Sequence, residues 1–225
     1  MKKFLILLFV SISSFFLGQS GQKKNANFTV RGNIGIAKPI SSNQFRTAFN
    51  GLYEANVSTN FRLFSNFYAG LGYQNTLFKN NDLFKFIYFN ASLPYNTRLS
   101  GNSGFLKLGY DQFKSETIYL SYAANVGYML AGYINVNLDS SLSNQPFVSK
   151  NFQAPYIQPE FSVNFIVEKS LSFSLMCSYT SLFYRFDPKG PRFNHIGDIQ
   201  KVSNKYLMSW FTFGFGFTVL IGNTK

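Results

Sequence analysis

The side chains of this chain that could carry covalent chemistry are few, and they lie toward its C-terminus. His195 is the single histidine, set in the stretch RFNHIGD, with Asp198 close by and Ser203 a little further on. A histidine beside a hydroxyl and a carboxylate suits acyl transfer or ester hydrolysis, the imidazole taking the serine proton while the acid orients the ring. Any such scheme in this chain must use His195 as its base, and no His-x-Ser pair accompanies it. The one cysteine, Cys177, excludes an intramolecular disulfide framework. The pairs Gly70 with Gly72 and Gly214 with Gly216 fall inside alternating apolar runs with no helix behind them, which is not a phosphate cradle. Nothing in the sequence calls for a metal or a cofactor.

More telling are the charged residues embedded in apolar runs: Arg31, Glu54, Arg62, Lys107, Asp111, Glu160 and Glu168. Such groups need partners if they are buried, so the elements that carry them must bring them face to face. The clearest of these elements is YLMSWFTFGFGFTVLIG, Tyr206 to Gly222, which has no charge. Leu207, Phe211, Phe213, Phe215, Phe217, Val219 and Ile221 fall on one face, while Thr212, Gly214, Gly216 and Thr218 fall on the other. That is a period of two, the mark of a strand. A membrane helix would scatter the phenylalanines around its axis and bear two internal glycines at about 1 kcal/mol each.

The alternation recurs along the chain. NFTVRGNIGIA sets Phe28, Val30, Ile34 and Ile36 outward and Thr29, Arg31, Asn33 and Gly35 inward. In GLYEANVSTNFRL, Tyr53, Ala55, Val57, Thr59 and Phe61 oppose Glu54, Asn56, Ser58, Asn60 and Arg62. FYAGLGYQNTLF, FLKLGYDQF, TIYLSYAANVGYMLAGY, YIQPEFSVNFIVE and LSFSLMCSYTSLFY follow the same rule, which puts Lys107, Asp111, Glu160 and Glu168 inward. Tight turns are expected at Phe64-Ser65-Asn66, at Lys114-Ser115-Glu116 and at Glu168-Lys169-Ser170, and longer loops at about 79–104, 137–155 and 187–205 as well as after the first strand. LFKFIYFNA, residues 83–91, reads as extra strand structure within its loop. Pro159 cannot donate to a ladder, so it is expected above the hydrocarbon or at a bulge. The glycines Gly70, Gly72, Gly214 and Gly216 are expected to make room for inward rings such as Tyr68, Tyr119 or Trp210.

Eight amphipathic strands with three short turns and four longer loops imply an all-β fold, an eight-stranded antiparallel up-and-down transmembrane β-barrel. Lipid satisfies no backbone hydrogen bond, so a sheet within it must close, and an even strand number puts both termini at the periplasmic end. A soluble lipocalin-type barrel is the rival, but it would turn the apolar face inward and leave Phe211, Phe213, Phe215 and Phe217 to be accounted for as core. Lys2 and Lys3, the apolar run from Phe4 and the small residues Gly18 and Ser20 have the form of a secretory signal peptide, residues 1–20, with cleavage near 18–21. Residues 21–27 then form a short periplasmic segment and 28–222 the barrel. Aromatic residues make up 19% of the chain and charged ones 13%, a balance that suits a lipid-facing wall.

The strands FYAGLGYQ and SWFTFGFGFTVLIG and the turn FRLFSNF resemble small outer-membrane β-barrel proteins of Bacteroidota, related in architecture to the OmpA, OmpX and OmpW barrels. The ending IGNTK departs from the terminal aromatic common in proteobacterial barrels. The resemblance implies residence in a Gram-negative outer membrane. It implies a non-enzymatic structural or loop-mediated binding role, a narrow OmpW-like channel for small or hydrophobic solutes, or an accessory place in a larger secretion or uptake complex. Lipid A palmitoyltransferases and deacylases are also eight-stranded barrels, which is the setting in which His195 would act. The formal charge of +12 includes Lys2 and Lys3 of the signal, and the remaining excess is uneven. Arg185, Lys189, Arg192, Lys201 and Lys205 form a basic last loop suited to anionic lipid and lipopolysaccharide. Other envelope proteins are candidate partners, and nucleic acid is a poor one for an exported barrel.

Overall fold

A computed structural model describes residues 27–41, 43–81, 85–88, 91–94, 97–135, 151–188, 191 and 206–221. Among the described residues ten strands and one short helix succeed one another: β1 (Phe28–Ser41), α1 (Asn43–Ala48), β2 (Phe49–Phe64), β3 (Phe67–Asn80), β4 (Lys85–Tyr88), β5 (Ala91–Pro94), β6 (Thr97–Phe113), β7 (Ile118–Asn135), β8 (Asn151–Glu168), β9 (Leu171–Leu182) and β10 (Met208–Ile221). Eight of them close into one antiparallel barrel in the order β1-β10-β9-β8-β7-β6-β3-β2. The seam runs from Phe28 opposite Ile221 to Ser41 opposite Ser209. Among the described residues no helix is long and apolar enough to cross a membrane.

Alternation decides which way every strand faces. In β10, Phe211, Phe213, Phe215, Phe217 and Val219 are exposed on the outer wall, while Thr212, Gly214, Gly216 and Thr218 are buried. Rings gather at the short-turn margin of this wall: Phe28 on Phe61 at 4.9 Å, Phe67 on Tyr110 at 4.9 Å and Tyr122 on Phe161 at 5.2 Å. Toward the other margin stand Tyr73, Tyr128 and Tyr179. An outward apolar band with aromatic rings at both edges is the pattern of a barrel wall in lipid.

Several boundaries differ from those read in the sequence. TRLSGNSG, residues 97–104, is the start of β6 rather than loop, and β8 begins at Asn151 rather than at Tyr156. Both stretches carry turn-type residues because the strands rise past the apolar band, where polar side chains can face outward. β4 and β5 pair antiparallel with each other, Lys85 opposite Pro94 and Tyr88 opposite Ala91, in a two-stranded sheet outside the barrel sheet. Pro159 is neither at a bulge nor above the wall. It pairs with Ala124 in mid-strand, and the ladder to β9 skips Gln158 and Pro159 and then resumes in unchanged register at Glu160 opposite Ser178. The missing donor is tolerated because pairing to β7 runs through.

The longer connection expected after the first strand holds a helix: NQFRTAF forms α1 and the start of β2. Gln44, Phe45 and Ala48 are buried on one side of the helix, whereas Asn43, Arg46 and Thr47 are exposed. This amphipathic turn and a half drops Phe45 into the barrel mouth.

Candidate functional site

The lumen is divided into two halves, and each is filled. In the half nearest the short turns, inward positions are Arg, Asp, Lys, Glu, Asn, Ser and Thr. Arg31 of β1 reaches across to Asp111 of β6 and donates to both carboxylate oxygens, at 2.9 and 2.8 Å. Its other terminal nitrogen donates to Ser121 Oγ at 2.7 Å and Tyr68 Oη at 2.9 Å, and the guanidinium lies 4.5 Å from the Tyr68 ring centroid. Both carboxylate oxygens accept from the one terminal nitrogen, Nη2, a charge-assisted contact between two buried groups.

One layer higher, Lys107 Nζ donates to Glu160 Oε1 at 2.8 Å, with both side chains buried. Asn125 then links Glu160 to Gln158, donating at 3.2 Å to Glu160 Oε2 and at 2.9 Å to Gln158 Oε1. Gln158 donates onward to Glu54 Oε1 at 2.8 Å and to Thr180 Oγ1 at 2.9 Å. Glu54, fully buried, is held by this amide and by Trp210, whose indole Nε1 donates to Oε2 at 2.6 Å. The chain of bonds runs through β6, β8, β7, β2 and β10, so it ties opposite walls together.

The half nearest the long loops is largely aromatic and apolar. Phe45 of α1 meets Phe78 edge-on at 5.2 Å and Phe186 at 5.9 Å, and Phe78 meets Trp210 edge-on at 5.3 Å. Phe49, Leu99, Met129, Tyr133, Tyr156, Leu182 and Met208 complete the cluster. Phe186 enters from the segment that follows β9 and is fully buried. Eight strands leave an interior that side chains can fill, and here they fill it with an aromatic plug over a polar one.

Of the inward charges expected from alternation, Arg31, Glu54, Lys107, Asp111 and Glu160 lie in the lumen, in the contacts just described. Arg62 stands at the short-turn rim and donates to the Ser65 carbonyl at 2.9 Å. Glu168 is a correction: it is exposed at the β8–β9 turn, because the register shifts between Ile166 and Glu168 and takes it out of the inward series. Arg185 is exposed at the long-loop end, while Lys189, Arg192, Lys201 and Lys205 lie outside the described residues, as do His195, Asp198 and Ser203. Residues 1–26, which include the expected signal peptide, and 136–150 lie outside them too.

Of the four glycines expected to make room for inward rings, Gly72 does so, for Phe105, and the Tyr68 ring is accommodated by Gly109 instead. A Cβ at Gly70 would meet Asn60 and the Thr59 carbonyl, one at Gly214 the β1 backbone, and one at Gly216 the Asn33 side chain and the Gly32 carbonyl. The aromatic plug is the part that the reading of the sequence missed. Its signal was the change of inward residues within single strands, from Gln74 and Thr76 to Phe78 in β3 and from Gly216 and Gly214 to Trp210 and Met208 in β10.

No family model and no curated protein matches the chain. Among solved structures it is similar to Neisserial surface protein A, with a TM-score of 0.52 and 14% identity over 87% of this chain and 98% of that one. The outer membrane protein OprG from Pseudomonas aeruginosa gives a TM-score of 0.46 and 13% identity over 88% of this chain and 97% of that one. Ail, the attachment invasion locus protein of Yersinia pestis, gives 0.44 and 6% over 86% and 99%. At these identities the likeness is one of fold, and the first of the three carries it.

Proposed function

We propose that the chain is an integral outer-membrane barrel of a Gram-negative envelope, exported by residues 1–20, that is sealed, non-enzymatic and acts through its long-loop end. Its role is structural or adhesive, with lipopolysaccharide or another envelope protein as the partner of the loops. The observation that carries this reading is the doubly filled lumen. Phe45 and its aromatic neighbours occupy the long-loop half, and Arg31–Asp111 and Lys107–Glu160 occupy the other. A continuous polar path for solutes would need both halves to open, and opening the lower one separates charges buried in a low dielectric. What is left for function is the surface that the rigid scaffold presents, where loops vary freely and binding residues tend to sit.

The test is the native size of the epitope-tagged full chain, extracted gently from its own outer membrane and run unboiled beside a boiled sample. A small species whose mobility changes on boiling supports a stand-alone barrel. A large one with co-migrating proteins supports an accessory subunit of a larger machine. Recovery of a soluble periplasmic protein overturns the membrane reading.

A further inference from the structure

The outer wall is not uniform, and one strip of it is shaped for an amphiphile. Tyr73, Gly104 and Tyr128 stand side by side on β3, β6 and β7, all facing outward. A Cβ built on Gly104 meets no atom within 4 Å, so the glycine leaves a slot between two tyrosine rings. Below it a groove of about 430 Å³ runs between Leu71, Leu106 and Val126, walled by Tyr128. Its lining is apolar, as an acyl chain requires.

Directly above the slot the wall changes character. Asn75 and Asn102 face each other across β3 and β6, and Asn75 donates to Asn102 Oδ1 at 2.7 Å. Tyr53 donates to Asn75, and Tyr73 to Asn102. Asn102 thus spends its oxygen on the barrel, while among the described residues no bond engages its amide N–H groups. A second groove of about 660 Å³ continues upward from Asn102 past Ser100, Leu130, Asn151 and Gln153. Arg98 is exposed beside it, directly opposite Lys79 on β3. Amides and hydroxyls suit a polyhydroxylated headgroup, and the guanidinium suits a phosphate on it.

We infer that this strip of β3, β6, β7 and β8 binds one outer-leaflet glycolipid, with an acyl chain in the Gly104 slot and its phosphorylated saccharide headgroup on Asn102, Ser100, Asn151, Gln153 and Arg98. The assignment rests on the membrane reading above and gives it a specific lipid partner. The apolar slot and the amide-lined groove adjoin, in the order that a lipid standing in the bilayer would need. Phosphatidylglycerol would use the slot and could offer its phosphate to Arg98, but the two hydroxyls of its glycerol would leave most of the row of amides without partners.

The full-length chain, purified in mild detergent, is mixed with lipid A or with phosphatidylglycerol, and the bound fraction is read by native mass spectrometry. One lipid A per barrel is expected, retained at least ten-fold better than phosphatidylglycerol. Gly104→Phe fills the slot from the outer face of the wall, where an added Cβ meets nothing within 4 Å, and Arg98→Gln removes the phosphate ligand. Each should lower lipid A retention about ten-fold while the barrel keeps its heat-dependent mobility. Equal retention of the two lipids, or full retention by both variants, overturns the lipid site and leaves the membrane barrel standing. A chain recovered soluble overturns both.

Discussion

Trp210 on β10 donates its indole N–H to Glu54 on β2 at 2.6 Å, and in doing so joins the two halves of the lumen. The ring belongs to the aromatic plug, touching Phe78, and the carboxylate belongs to the polar network through Gln158. Neither half is packed independently of the other.

Trp210→Phe keeps most of the ring packing and deletes this donor. The variant is expected to be about 1–3 kcal/mol less stable, the cost of leaving a buried acceptor short of a partner. Urea unfolding of the barrel in lipid vesicles, followed by mobility on unboiled gels, measures it. No change in midpoint would mean that Glu54 finds a substitute donor.

Arg31 and Asp111 lie buried on opposite sides of the lumen and are joined by two bonds. Removing one partner leaves a buried charge, so Asp111→Leu alone is expected to cost about 3–5 kcal/mol. The double change Arg31→Met with Asp111→Leu should recover most of that loss, since a buried pair replaced by apolar groups of similar volume is often neutral. The same unfolding series tests both, and additive losses would contradict the pairing.

The two seals predict a conditional phenotype. Phe45→Ala hollows the upper plug at a cost of about 3–5 kcal/mol, yet the ion pairs beneath it remain. Planar bilayers containing this variant should stay silent. Only with Arg31, Asp111, Lys107 and Glu160 also changed to Ala should stepwise conductance appear, and conductance from Phe45→Ala alone would show that the lower half does not seal.

Two outward or inward glycines on adjoining strands should respond oppositely to the same change. A Cβ on Gly72 collides with the Phe105 ring and comes within 2.7 Å of the Val57 carbonyl, whereas one on Gly104 meets nothing within 4 Å. Gly72→Val is therefore expected to destabilise by about 1–3 kcal/mol through overpacking, and Gly104→Val to fold with unchanged stability.

The barrel was legible because lipid-facing alternation is strict: Phe211 to Phe217 cannot be placed any other way, and Arg31, Glu54, Lys107, Asp111 and Glu160 follow from counting by two. Who pairs with whom was not, since Arg31 and Asp111 are eighty residues apart and meet only when β1 and β6 face each other across a closed ring. Glu168 was misplaced because a one-residue register shift moves a side chain to the other face. The starts of β6 and β8 were hidden by Ser, Asn, Gly and Pro, which mark turns in most sequences and here clothe strand ends beyond the apolar band. α1 was missed because six residues are too few for helical periodicity to show, even with Phe45 and Phe49 one turn apart.

The most direct test of the account is single-channel recording from the native chain in planar bilayers, with insertion verified by its heat-dependent mobility. The filled lumen predicts a flat trace at voltages that open wider barrels. Reproducible unitary steps that scale with salt would contradict it, and would mean that the aromatic and ionic plugs part in the membrane.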